Sequence, residues 1–141
     1  PLFAYIMTFK DGQPIYQQIA ERLADEVLSG AYPPETRVPG VREYSALLEV
    51  NVNTTVKAFD LLAQRGIIYA RRGMGYYVAN DATQLILTER QKDFREQVMP
   101  DFFMRMLQLH ISMDDVEAAF RQYKEKMNHA SGEHALNIDA L

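Results

Sequence analysis

Residues 41–66, VREYSALLEVNVNTTVKAFDLLAQRG, carry two short helical periodicities with almost nothing between them. Val41, Tyr44, Leu47 and Leu48 recur at helical spacing and give a helix over 41–48 its buried side. Pro39-Gly40 precedes that helix and favours a chain break there. The second run predicts a helix over 53–64 with Phe59 and Leu62 inward, Asn51 or Asn53 as its N-cap and Gly66 as its stop. Two helices joined by so short a connection make a helix–turn–helix.

On the N-terminal side of this pair, Ile15, Ile19, Leu23 and Val27 recur every four residues and predict a helix over 14–29. Pro14 suits its first turn, Gly30 its C-terminal stop, and Pro33-Pro34 cannot continue it. On the other side the period changes. Ile67-Ile68-Tyr69-Ala70 and Tyr76-Tyr77-Val78-Ala79 are β-branched or aromatic runs around a basic turn, Arg71-Arg72-Gly73-Met74-Gly75, which reads as a hairpin. Met7-Thr8-Phe9 is a candidate further strand of the same sheet. Helix, helix–turn–helix, hairpin is the order of a winged helix, so the expected class is mainly α with a small β-hairpin.

Beyond it, Asn80–Gln84 is polar and marks a boundary, followed by two more helices. The first, over 88–109, spaces Phe94, Val98, Phe102 and Met106 by four, and Pro100 should kink or split it. The second starts at Ser112, with Asp115 where a capping box has Glu, and runs to Met127 with Val116, Phe120 and Tyr123 on its stripe. These helices carry more large apolar groups than two helices can hide against each other, and such a surplus marks an interface. A two-fold homodimer is expected, built on Phe94, Val98, Phe102, Phe103, Met106, Phe120 and Tyr123. Met and aromatic residues also suit a pocket for an unidentified small-molecule effector, but nothing polar converges there. His110, His129 and His134 have no metal-ligand spacing, so no metal is expected.

At 48% hydrophobic and 24% charged residues, the chain of 141 can bury a core. No apolar run approaches the roughly 18 residues of a membrane span. Pro1–Phe9 lacks the basic start and small-residue cleavage site of a signal peptide, and the missing initiator Met suggests a trimmed N-terminus. Cys is absent, which excludes disulfides, thiolate zinc sites and a Cys nucleophile, and fits a cytoplasmic location. There is no Gly-rich phosphate loop and no recognisable pair of catalytic carboxylates, so neither an enzyme nor a cofactor is expected.

The net charge of −4 is unevenly spread. Thr36–Gly75 holds Arg37, Arg42, Lys57, Arg65, Arg71 and Arg72 against Glu43, Glu49 and Asp60, a net of +3, between segments of net −3 and −4. Phosphate responds to the local field, because salt screens charge beyond about 8–10 Å. A helix–turn–helix places its second helix in the major groove, where short polar side chains reach base edges. Asn51, Asn53, Thr54, Thr55 and Lys57 meet that need at the start of the third helix, whose free N–H groups also face a phosphate. Arg71, Arg72 and Gly73 let the wing approach phosphate or the minor groove, and Arg42 starts the second helix, where it could equally pair with Glu43 or Glu49. Residues 1–80 are therefore expected to be a winged helix–turn–helix DNA-binding domain and 81–141 a two-helix dimerisation region. The alternative is a winged helix that binds protein without sequence-specific DNA binding.

The run from Pro14 to Val78 resembles the DNA-binding domain of the GntR family of bacterial transcription regulators. The resemblance rests on Val38–Glu43, on the turn Leu48–Asn51, and on the wing RRGMGYYV, residues 71–78. The short remainder is similar to the two-helix dimerisation region of the YtrA subfamily. The resemblance implies a homodimeric regulator, most simply a repressor, on an inverted-repeat operator. It implies contacts to DNA by Arg42, Asn51, Asn53, Thr54, Arg72 and Gly73. Gly40 stands where the family usually has Ser, and Val52 and Val56 stand where many members carry Arg. Two base-reading arginines are thus missing, and the operator of arginine-bearing relatives does not transfer.

Overall fold

The computed structural model describes residues 10–131; the candidate strand Met7-Thr8-Phe9 and His134 lie outside them. The chain divides into two compact units, residues 1–92 and 93–141. In the first, α1 (Ile15–Leu28), α2 (Val41–Leu48) and α3 (Val52–Gln64) precede the hairpin β1 (Ile68–Arg71) and β2 (Gly75–Val78), and α4 (Ala82–Asp93) follows. This is the winged-helix order, mainly helical with one small antiparallel sheet.

α1 buries Ile19, Leu23 and Val27 with Ala20 and Ala24, whereas Ile15, first of the stripe, stays exposed. Its end is a Schellman cap: Gly30 takes a φ of 86°, and Ala31 N–H donates to the Glu26 carbonyl at 3.0 Å. Gln18, buried in α1, ties down the approach segment by bonding the Lys10 backbone N–H and carbonyl and the Gln13 carbonyl. On α2, Tyr44, Ser45 and Leu48 face inward, while Leu47, expected on the buried side, is exposed.

α3 carries the centre of the core. Phe59 is fully buried and meets two rings edge-on: Tyr44 of α2, with centroids 6.0 Å apart, and Tyr76 of β2 at 5.4 Å. Such edge-to-face pairs add roughly 0.5–1.5 kcal/mol each beyond the area they bury. Tyr44 then donates its phenol proton to Glu26 of α1 at 3.0 Å. Burial, reinforced by the Glu26 charge, pushes that phenol far above its ordinary range, so it remains a donor.

The hairpin pairs Ile68 with Val78 and Arg71 with Gly75, and its turn closes with Met74 N–H on the Arg71 carbonyl at 2.9 Å. Gly73 and Gly75 have φ of 72° and 94°, a left-handed backbone that admits Gly without strain. The outer side of β2 is paired by the stretch before α2. Glu35 and Val38 donate to the carbonyls of Val78 and Tyr76, Val78 donates to Thr36, and Arg37 bridges Tyr77. α4 begins directly after the wing, earlier than the helix expected from residue 88, and sends Ala82 and Ile86 into the same core. Arg65–Glu89 at 3.4 Å and the Arg90–Asp25 pair hold it there. The polar stretch 80–84 is thus a solvent-facing helix start with one buried alanine.

In the second unit, a π-helical turn (Phe94–Val98) leads into α5 (Met99–Leu109), and α6 (Met113–Ser131) follows. Pro100, which lacks an N–H, falls in the first turn of α5, and the helix expected over 88–109 is not split there: its backbone stays helical and takes a π-helical turn just before the proline. Ser112 and Asp115 form a reciprocal capping box, each side chain accepting the other's backbone N–H at 3.1 Å. That bond lowers the Asp115 carboxyl below its ordinary range.

Thr55 is a correction to the sequence-based expectation. It is 0% exposed on the inner face of α3, beside Ala58 and Phe59, and cannot reach a groove. Its hydroxyl has no hydrogen-bond partner among the described residues. An unsatisfied buried hydroxyl costs about 1–3 kcal/mol. Thr55→Val should therefore raise the thermal midpoint, gaining about 1 kcal/mol or more, with DNA affinity unchanged; calorimetry and a binding titration check both.

Candidate nucleic-acid interface

The exposed face of α3 consists of Val52, Asn53, Val56, Lys57 and Asp60, with Thr54 half-buried at its edge. Asn51 is the N-cap: its Oδ1 accepts the Asn53 backbone N–H at 2.8 Å. One lone pair of that oxygen is thus engaged, which leaves the other and the two amide N–H groups to meet a ligand. Asn53 is exposed, and its amide makes no side-chain hydrogen bond among the described residues. Arg42 is exposed in the first turn of α2 and forms no ion pair with Glu43 or Glu49.

The wing distributes its two arginines differently. Arg71 lies over the Tyr77 ring, 4.1 Å from its centroid, and donates to the Tyr69 hydroxyl at 2.9 Å. Tyr69 in turn donates to Glu35, whose carboxylate is 3.6 Å from Arg71. The bond to Tyr69 raises the Arg71 pKa further above its already high value. Arg71 is therefore spent on holding the wing against the 35–38 segment. Arg72 and Gly73, at the tip, are exposed, and Arg72 has no ion pair among the described residues.

Arg37 was counted in the sequence only as charge. Its guanidinium lies along the base of the wing: a Cβ added to Gly75 would sit 3.1 Å from Nε, and one added to Gly40 3.9 Å from an Nη. One exposed cation thus spans from the start of α2 to the start of β2. The pairing of Arg37 with Tyr77 creates this placement, and only the basic run around it hinted at the role. Of the six cations between Thr36 and Gly75, Arg65 and Arg71 are paired internally. Arg37, Arg42, Lys57 and Arg72 have no ion pair among the described residues, so four cations of this segment remain open to an anionic ligand.

In the second unit, Phe94, Val98, Phe102, Phe103, Phe120 and Tyr123 are all exposed. Met106, expected with them at an interface, is 8% exposed and packs within its own unit. An apolar groove of about 420 Å³ between α5 and α6 is lined by Phe102, Met106, Leu109, Ile111 and Val116. A second, of about 310 Å³, is lined by Phe94, Val98, Met99, Phe102, Phe103 and Met113. Among the described residues no helix is long and apolar enough to cross a membrane.

Residues 15–78 match the family described as bacterial regulatory proteins, gntR family. The HTH-type transcriptional repressor YtrA of Bacillus subtilis is 32% identical over 89 residues, 63% of this chain and 68% of the relative. The HTH-type transcriptional regulator YhcF of the same organism is 26% identical over 117 residues, 83% of this chain and 95% of the relative. Among solved structures, a GntR-family regulator from Bacteroides thetaiotaomicron superposes with a TM-score of 0.72 at 35% identity, over 81% of this chain and 99% of that one. A GntR-family regulator from Listeria monocytogenes gives 0.65 at 31% identity, over 81% and 98%. The match with YhcF and both superpositions extend well past the winged helix. With this fold, an α3 face flanked by unpaired cations, and relatives of the same build, the chain belongs to the GntR family of bacterial regulatory proteins, as a DNA-binding transcriptional regulator of the YtrA-like kind.

Proposed function

We propose that the chain is a repressor that occupies an inverted-repeat operator as a homodimer, one winged helix per half-site. The observation that carries this reading is the set of unpaired cations around the start of α3 in a protein otherwise acidic. Asn53 reads a base edge, with adenine the favoured partner because an amide can bond it twice. Thr54 and the free amide N–H groups of Asn51 add contacts beside it. Arg42 reaches a base or phosphate from α2, Lys57 a phosphate from α3, and Arg72 with Gly73 enters the minor groove from the wing. Arg71, held by Tyr69, Tyr77 and Glu35, keeps the wing in shape.

Dimerisation is supported by the apolar face of the second unit. Four phenylalanines and Val98 exposed on one short helical unit are a poor solution to life in water. A second copy of the same face covers them. Pairing also turns two modest half-site contacts into one strong one, because the second winged helix binds at high effective concentration. The role as repressor is supported by the name of the relative YtrA.

Four outcomes are expected. Selection of duplexes from a random library should enrich an inverted repeat with half-sites about one helical turn apart; no enrichment at low salt, with a folded dimer, would instead favour a protein-binding winged helix. Arg42→Ala should cost about 1–3 kcal/mol on that operator and relax one position per half-site, whereas Arg72→Ala should reduce the salt slope by roughly one. Phe102→Asp should yield folded monomers in sedimentation equilibrium, and a dimer of unchanged affinity would place the interface elsewhere.

A further inference from the structure

The face of α3 that carries Asn53 and Lys57 also carries two apolar side chains. Val52 is 41% exposed and Val56 39%, whereas Phe59 and Leu62 of the same helix are buried. The fold does not ask for valine at either position. Both lie away from the core, and a β-branched residue on an exposed helix face is slightly worse for the helix than alanine or lysine. Four residues apart, they lie one above the other on a single side.

We infer that Val52 and Val56 are thymine readers: each packs on the 5-methyl group of a thymine in the major groove and so fixes A·T pairs in the half-site. This rests on the DNA-binding role of α3. The chemistry selects the partner. The thymine methyl is the apolar group a base pair presents on the major-groove edge, and it is the feature an aliphatic side chain can recognise there. The occupant is duplex DNA and not an apolar protein surface, because the valines sit among exposed Asn53 and Lys57, with Arg42 and Arg72 unpaired on the neighbouring elements. An apolar partner would have to strip water from those groups without replacing their bonds. Four residues of helix advance about 6 Å, and successive bases on one strand are about 3.4 Å apart. The two methyls therefore belong to thymines one or two base steps apart.

The test needs the full-length chain and its selected operator. Each thymidine of one half-site is replaced singly by deoxyuridine, which removes the methyl and leaves base pairing intact. Two positions should each lose about fourfold in affinity, the value of one buried methyl-sized group. Val52→Ala should abolish the thymidine-over-deoxyuridine preference at one of them and Val56→Ala at the other, with the thermal midpoint unchanged. Equal binding at every deoxyuridine position would overturn the inference without touching the DNA-binding reading, and it needs no variant to fold. So would alanine variants that keep both preferences, or selected half-sites with G·C pairs throughout. Failure of the unaltered chain to retain any duplex at low salt would remove the DNA-binding reading itself, and this inference with it.

Discussion

The ring of Phe59 is the point through which the first unit is assembled. It touches Tyr44 and Tyr76 edge-on, so one side chain on α3 fixes the angle of α2 on one side and the wing on the other. Tyr44 passes the constraint to α1 through its bond to Glu26. A winged helix reads DNA only if the start of α3, the start of α2 and the wing tip are held at fixed separations. Here those separations follow from three aromatic rings and one phenol hydrogen bond. The buried start of α4, through Ala82 and Ile86, extends the same core past the wing.

Around that core, charge is sorted by pairing rather than by composition. Within the basic segment two cations are consumed by internal pairs, and four have no ion pair among the described residues. Arg71 illustrates the division. Stacked on Tyr77 and bonded to Tyr69, it stiffens the hairpin, while Arg72 at the turn is exposed and has no ion pair among the described residues. Glu35 closes this network from the loop before α2, the same loop whose backbone extends the sheet and carries Arg37 across Gly75. Stiffness of the wing and placement of its neighbouring cation thus have one origin.

The second unit obeys a different economy of surface. Pro100 removes one backbone donor just where a π-helical turn gives way to α5, and the capping box at Ser112 restarts the chain as α6 after a left-handed His110. Most large apolar residues of these helices stay exposed, and among the described residues Met106 is the one large side chain of the unit that is buried. A short helical unit so constructed has little stability to gain from its own core, which is why pairing with a second copy is proposed for it.

The sequence alone determined the order of elements, their caps and the class of fold. Those depend on local terms: apolar spacing of four, Pro and Gly at helix ends, and the basic glycine turn between two β-branched runs. It also marked Arg42, Asn53 and Arg72, because residue type and position in a helix–turn–helix suffice to place them at its outer face. What it could not decide was which way a polar residue faces within a turn of helix. Thr55 and Thr54 are neighbours of the same type, yet one is sealed in the core, since only packing against α1 and α2 selects the inner side of α3. Nor could spacing tell that Arg71 would be held by Tyr69, Tyr77 and Glu35, or that Arg37 would lie along the wing. Each of these depends on a contact between residues distant in the chain or on a choice among hydrogen-bond partners, and such choices exist only once the tertiary structure has brought the partners within reach.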